Sequence, residues 1–403
     1  MTPLAARTKH PDGTVVIRRR HPGNQLAAVT IARAVTDLAP ATRLLAPLLT
    51  AWWVQHSHRV AARHGIPVVI DPLLLPDCIG MQIDACSQDL PTVCASLPEL
   101  LSVSAPDGDE LADFRIRVLA QLRGISSPLL RGLDALGGSD NHTSHTLTIG
   151  EQASAVQGCS AEDAFQHTRL LAAVASVISI CHDRSAVLPE PPWSTRTREM
   201  IAVQPQSATP SVHAQATASA PAARTQTTGA SPAAASAHVV ARTAGVCLSS
   251  PDKPALHVAW SILGHGQGIL DQYLRQRRAL AYSIRAFSKE HAATGYGACV
   301  IGCAQDMVDE VTDHVRDALS MPGRYRPTES NLIAAKRRLR IQHHLALQTP
   351  RDIAIRACCY EIAGIDHRAM EEYVGALNEV SLDDIQRVVQ EYLSDPRFAR
   401  LTE

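Results

Sequence analysis

The sequence predicts an α/β (α+β) protein with two similar domains in tandem, each an antiparallel-rich sheet with helices packed on one face. Short motifs of the first half recur in the same order about 220 residues further on, which indicates a duplicated domain. The 403 residues exceed the roughly 250 to 300 at which single hydrophobic cores stop growing. A low-complexity tract separates the two predicted cores.

The repeated motifs mark the same three places in each half. The first is a strand that runs into a helix through a Cys-x-Gln-Asp pattern. The second is a Ser-Pro or Thr-Pro helix start, and the third is a hydroxyl N-cap three residues before an acid, which satisfies backbone N–H groups at a helix start. The matched pairs are Cys86 to Leu90 with Cys303 to Met307, Ser127-Pro128 with Thr349-Pro350, and Ser160 to Asp163 with Ser381 to Asp384.

The tract between the halves predicts a flexible linker. From Pro205 to Ala237 the chain has no Leu, Ile, Met or aromatic residue, and Arg224 is its one formal charge. Such a segment buries too little apolar surface to offset the entropy lost on ordering. We therefore expect a first domain over residues 1–189, a linker over 190–237 and a second domain over 238–403.

The composition excludes some classes of binding partner and predicts a cellular compartment. The net charge is -1 and the pI is near 7, so no basic field favours nucleic acid or an anionic membrane. No apolar run approaches the length of a membrane span, and residues 1–20 lack the hydrophobic core of a signal peptide. Ten cysteines, many in apolar strand or helix patterns, suit a reducing compartment. The expected location is the cytoplasm.

In the first half, alternating apolar residues predict a strand pair at Thr14 to Arg19 and Leu26 to Ile31. A helical pattern follows from Pro40 to Trp53. Further elements are a strand over Ile79 to Ile83, a capped helix from Ser160, and a last strand over Val177 to Cys181.

In the second half, Pro254 to Leu274 has a helical pattern that is interrupted at Gly264 to Gly268, and Leu280 to Phe287 alternates like a strand. Arg275 and Tyr282 flank this helix-to-strand junction, so both side chains can project from one end of a domain. Two simpler interpretations remain open: Arg275 as a surface helix residue, and Tyr282 as a strand residue of the core.

The Arg275 to Tyr282 segment, with the repeats on either side, resembles the C-terminal half of zinc peptidases of the pitrilysin/insulinase family. The resemblance implies a clamshell of two domains, like that of the mitochondrial processing peptidase. It also implies that Arg275 binds a substrate carbonyl and that Tyr282 stabilises the tetrahedral oxyanion.

The zinc-binding half of the pattern is missing from this chain. A working H-x-x-E-H motif supplies two histidine ligands on one helix face and a glutamate that activates the metal-bound water. Aligned with that motif, the helix after Pro40 has Arg43, Ala46 and Pro47, none of which can perform these roles. The third ligand of the family, a glutamate in a later helix, corresponds to Gln121. The resemblance therefore implies no cofactor in this chain.

This combination resembles the non-catalytic subunit of two-subunit bacterial members of the family. It implies a heterodimer with an H-x-x-E-H-bearing homologous subunit that holds Zn²⁺, with peptides or leader peptides as substrates. Two alternatives stay open: an inactive structural or assembly scaffold, like the core subunits of the respiratory bc1 complex, and an independent enzyme or binding module of unrelated chemistry. A neighbouring gene for an H-x-x-E-H homologue would favour the first.

Overall fold

A computed structural model describes residues 5–23, 25–102, 108–124, 128–137, 148–173, 176–183, 236–264, 268–320 and 326–402. The predicted linker over 190–237 lies outside these ranges, except for Ser236 and Ala237, which begin a strand. No helix in the described ranges is long and apolar enough to cross a membrane.

Two sheets and a series of helices form the described chain. The strands are β1 Ala5–Lys9, β2 Val15–Arg20, β3 Leu26–Ala34, β4 Val68–Leu74, β5 Cys78–Cys86, β6 Val177–His182, β7 Ser236–Ala244, β8 Ala281–Glu290, β9 Gly295–Ala304 and β10 Arg397–Thr402. The helices are α1 Pro40–Leu44, α2 Ala46–Arg63, α3 Leu90–Leu100, α4 Gly108–Gly124, α5 Pro128–Gly137, α6 Ile149–Gly158, α7 Ala161–Ala173, α8 Lys253–Gly264, α9 Val308–Leu319, α10 Glu329–Leu345, α11 Pro350–Ile362, α12 Ala369–Glu379 and α13 Leu382–Val388. Two π-helical segments, Asp271–Arg277 and Val389–Leu393, complete the second half.

Four strands of the first sheet have the same order as the four strands of the second. The first sheet runs β1-β2-β6-β3-β5-β4, and its pairs are antiparallel except for β2 with β6. The second sheet runs β10-β7-β9-β8 and is antiparallel throughout. The second sheet repeats the β6-β3-β5-β4 order of the first, with β4 and β8 as the corresponding edge strands. The prediction of an α/β protein with two sheets and packed helices is confirmed.

The cap residues that carry the repeat behave as predicted. Ser160 accepts a hydrogen bond from the backbone N–H of Asp163 at 3.1 Å, and Ser381 accepts one from Asp384 at the same distance. Thr349 likewise accepts from the N–H at the first turn of α11, at 3.0 Å. These caps are local features, which is why sequence alone locates them.

The expectation of helices on only one face of each sheet is wrong. One face of the first sheet packs against α2, where Trp52 and Trp53 are fully buried. The other face is covered by α11 from the second half of the chain, through Ala354 and Cys358. In return, α5 of the first half packs on β7 and β10 of the second sheet.

This exchange of helices has a physical cause. A sheet with apolar residues on both faces must bury both, and β3 is buried along almost its whole length. Polar contacts reinforce the exchange, because Arg351 at the start of α11 pairs with Asp84 at 2.7 Å and Asp71 at 2.6 Å. Arg7 of β1 forms a bidentate pair with Glu361 at the other end of α11.

We expect a chain cut once by protease within residues 205–235 to keep both halves assembled. Each fragment would still hold a helix of the other against its sheet, so separation would expose apolar surface on both faces. Size-exclusion chromatography of the nicked protein checks this, with a denaturant-treated sample as the control. Fragments that elute separately in native buffer would contradict the exchanged packing.

Candidate functional site

Arg275 and Tyr282 lie on either side of a tight junction between a helical segment and an edge strand. The π-helical segment Asp271–Arg277 ends in a turn at Ala279, whose φ of 53° is in the left-handed region. The N–H of Leu280 closes the turn by donating to the carbonyl of Leu274 at 2.7 Å. A non-glycine residue in this region costs free energy, so surrounding contacts must hold the junction in shape.

Arg275 projects into solvent from the last turn of the segment. Its side chain is 60% exposed, and one guanidinium nitrogen lies 3.6 Å from the carboxylate of Asp271 one turn earlier. Asp271 is buried and accepts a hydrogen bond from Gln276 at 2.8 Å. The long ion pair leaves the exposed guanidinium with N–H donors available for a carbonyl or carboxylate.

Tyr282 lies on the sheet surface and not in the core, so the core interpretation is wrong. It is 53% exposed and occupies a β-bulge between Ala281 and Ser283 of β8. Its ring lies over Gly302 of β9 and meets the ring of His238 of β7 edge-on, with 6.3 Å between centroids. Within the described residues its hydroxyl forms no hydrogen bond.

Sequence reasoning missed the neighbours that position Tyr282. Gly302 and His238 come from strands far away in sequence, and only the cross-strand register places His238 opposite Gly302. A Cβ on Gly302 would lie 2.5 Å from the Tyr282 ring, closer than real contacts allow. A glycine within a buried strand was the available signal, since it often marks the close approach of another group.

Gly302→Ala should displace the Tyr282 ring and lower the free energy of unfolding by about 1 kcal/mol, because the new methyl overlaps the ring. The double variant Gly302→Ala/Tyr282→Ala should recover part of that loss in urea unfolding, and the remainder belongs to Ser283, whose Oγ also lies 2.5 Å from the added methyl. Gly158→Ala, with no heavy atom within 4 Å of the added methyl, is the matched control. Additive effects in the double variant would show that ring and methyl do not collide.

The residues at the family's metal positions form a different local structure. The helix breaks at Leu45, which ends α1 and caps α2, because Pro47 has no N–H to continue the ladder. Arg43 donates to the carbonyls of Leu38 at 2.9 Å and Thr36 at 3.1 Å. Ala46 is buried as the first residue of α2.

These residues do not fit a zinc ion. The Arg43 guanidinium is a cation engaged with backbone carbonyls, and Gln121 is an exposed residue of α4. Nowhere in the described chain do three or more His, Cys, Asp or Glu side chains come together as a metal site.

Comparisons with known proteins agree with this architecture. Residues 207–339 match the family model described as the peptidase M16 inactive domain. An uncharacterized zinc protease of Streptomyces coelicolor is 24% identical over 158 residues, 39% of this chain. The match spans only 34% of that relative's length.

Two solved structures share the fold over almost the entire chain. A peptidase M16 inactive domain from Pseudomonas fluorescens superposes with a TM-score of 0.73 at 15% identity, covering 98% of this chain and 97% of that one. A chain of Complex III2 from Candida albicans, bound to Inz-5, gives 0.72 at 13% identity, covering 98% and 95%.

The chain is therefore similar to M16, pitrilysin-like peptidases. It shares the α/β fold of two sheets with packed helices, residues 207–339 match the M16 inactive-domain model, and a zinc protease is a distant relative.

Proposed function

We propose that this chain is the non-zinc subunit of a heterodimeric metallopeptidase that cleaves peptides or leader peptides. Its partner would be a homologous subunit with an H-x-x-E-H motif and Zn²⁺. The observation that carries the proposal is an asymmetry between the halves. Arg275 and Tyr282 are exposed at one end of the second sheet, whereas Arg43, Ala46, Pro47 and Gln121 replace the metal-binding functions.

The proposed chemistry divides between the two side chains. Arg275 binds a backbone carbonyl of the substrate through charge-assisted hydrogen bonds. Tyr282 donates a hydrogen bond from its hydroxyl to the oxygen on which negative charge develops in the tetrahedral intermediate. Both roles need donors that are free to meet a ligand, and the exposed fork and hydroxyl meet that need.

Further features of the proposal follow from the sequence and gain support from the fold. The matching strand order of the two sheets supports a tandem duplication, with domains over 1–189 and 238–403 joined by a linker over 190–237. The proposed arrangement is a clamshell, and the proposed compartment is the cytoplasm.

The purified chain should bind no stoichiometric zinc and should cleave no peptide without its partner, because the metal positions offer no ligand set. Elemental analysis after dialysis measures the zinc, and a fluorogenic peptide library measures cleavage. A version carrying Arg43→His, Ala46→Glu, Pro47→His and Gln121→Glu serves as a comparison for metal uptake. One tightly bound zinc per unmodified chain would refute the assignment.

The second candidate is an inactive scaffold of the same fold, and the likeness to a chain of Complex III2 favours it. A scaffold would assemble with partners but would not need Arg275 or Tyr282 for turnover. Co-expression with a neighbouring H-x-x-E-H homologue separates the two. Peptide cleavage that requires both chains and Tyr282 supports the peptidase subunit, whereas assembly without any such requirement supports the scaffold.

A further inference from the structure

The second half contains a cavity of about 570 Å³ between helix α8, edge strand β8 and helix α10. It lies away from the exposed Tyr282 position, since its strand wall begins at Ile284. The volume is within the range of pockets that hold small molecules. In the first half the corresponding elements, α2, β4 and α4, also pack together.

One end of the cavity has an ordered polar wall. His257 bonds Glu290 through Nε2 at 2.9 Å and Tyr373 through Nδ1 at 2.5 Å. Ser288 donates to the other oxygen of Glu290 at 2.5 Å. Burial by itself would raise the pKa of Glu290. The hydrogen bond and charge interaction with His257, together with the hydrogen bond from Ser288, outweigh burial and lower this pKa to about 2. The carboxylate is therefore ionised, and both its oxygens are occupied.

Two cations that line the cavity come from helices. Lys253 donates to the Tyr360 hydroxyl at 3.0 Å and lies 5.5 Å from the centre of the Tyr373 ring. Arg356 of α11 lines the cavity and forms no hydrogen bond or ion pair with any residue in the described ranges. Arg285 of β8 also lines the cavity. Three positive charges thus stand against the carboxylate of Glu290, which is already engaged.

Within the described part of the chain, no negatively charged side chain in the cavity lining balances these cations, and His343, which also lines it, carries no charge. Burial, followed by the charge of Arg356, lowers the pKa of His343 to about 4, so this ring is neutral at pH 7. The described residues that line the cavity include no Asp or Glu. The cavity therefore presents an unmatched positive charge to solvent.

The rest of the lining suits an apolar group. Ile284, Ala286 and Leu339 also line the cavity, and Gly264 lets α8 approach Ala286 closely. A cavity with a few convergent polar groups at one end and an apolar remainder is typical of small-molecule sites.

We propose that this cavity binds a small organic anion. Its carboxylate or phosphate would pair with Arg356 and Lys253, and its apolar body would lie against Ile284 and Leu339. A guanidinium fork matches the paired oxygens of either head group. The site uses none of the residues proposed for peptide cleavage and needs no partner subunit.

Isothermal titration of the full purified chain at constant ionic strength tests the proposal with three probes. N-acetyl-leucine carries a carboxylate and an apolar body, N-acetyl-leucinamide lacks the charge, and inorganic phosphate lacks the apolar body. We expect saturable binding of one N-acetyl-leucine or one phosphate per chain and none of the amide. The stronger of the two anions identifies the head group.

Variants then locate the binding. Arg356→Gln should weaken the binding anion at least 10-fold, and Arg356→Lys should retain part of the affinity. Ala346→Trp, which keeps both cations but fills space in the cavity, should also weaken N-acetyl-leucine. Arg337→Gln removes an exposed charge of α10 outside the cavity and should change nothing. The proposal is overturned if neither anion binds, or if Arg337→Gln weakens binding as much as Arg356→Gln does.

Discussion

Tyr282→Phe should lower kcat of the reconstituted heterodimer about 100-fold or more, as loss of a preorganised oxyanion donor does. The variant keeps the ring, so its contacts with Gly302 and His238 persist. The hydroxyl has no hydrogen-bond partner within the described residues, and the side chain is 53% exposed. We therefore expect the free energy of unfolding to change by no more than about 0.5 kcal/mol.

The measurement combines steady-state kinetics with the zinc-bearing partner and urea unfolding of the isolated chain. KM should stay close to the unmodified value, because charge on the substrate oxygen develops only in the transition state. Tyr273→Phe, on the π-helical segment, is a control for loss of a nearby tyrosine hydroxyl. Full activity of Tyr282→Phe would remove the oxyanion role and favour the scaffold.

Arg275→Ala should lower kcat/KM about 10- to 100-fold, with a rise in KM as well as a fall in kcat. A hydrogen bond to a charged group contributes about 1.5 to 3 kcal/mol, and here it acts on substrate binding as well as on the reaction. The ion pair with Asp271 is long at 3.6 Å and its arginine end is exposed, so its loss should cost at most about 0.5 kcal/mol of stability.

Arg277→Ala is the matched control for Arg275. Arg277 lies on the same segment and is exposed, but its guanidinium stacks 4.8 Å from the centre of the Tyr273 ring. Its removal changes the net charge equally and should leave kcat/KM unchanged. Equal effects of the two variants would indicate a general charge effect and not a bound carbonyl. Arg275→Lys should restore only part of the activity, because an ammonium lacks the planar fork.

The Tyr282 and Arg275 variants test different steps of the same proposal. A fall in kcat alone for the Tyr282 variant, with a fall in kcat and a rise in KM for the Arg275 variant, matches an oxyanion donor beside a carbonyl anchor. If the heterodimer assembles normally with both variants and its peptidase activity depends on neither side chain, the remaining role of this chain is assembly.

The sequence by itself determined the features that depend on residue type and local spacing. At Ser160 and Ser381 a hydroxyl three residues before an acid caps a helix, as this local spacing predicts. Arg43, Ala46 and Pro47 cannot ligate zinc in any fold. The order of Arg275 and Tyr282 around a helix-to-strand junction is likewise a property of the chain itself.

Only the tertiary structure decided which distant segments meet. The exchange of α5 and α11 between the sheets depends on burial of a second sheet face, which no local pattern specifies. The ring of Tyr282 fits over Gly302 because strand register joins β8 to β9. Arg356 reaches the cavity beside Lys253 from a helix about 100 residues away in the chain, so packing alone creates that unmatched charge.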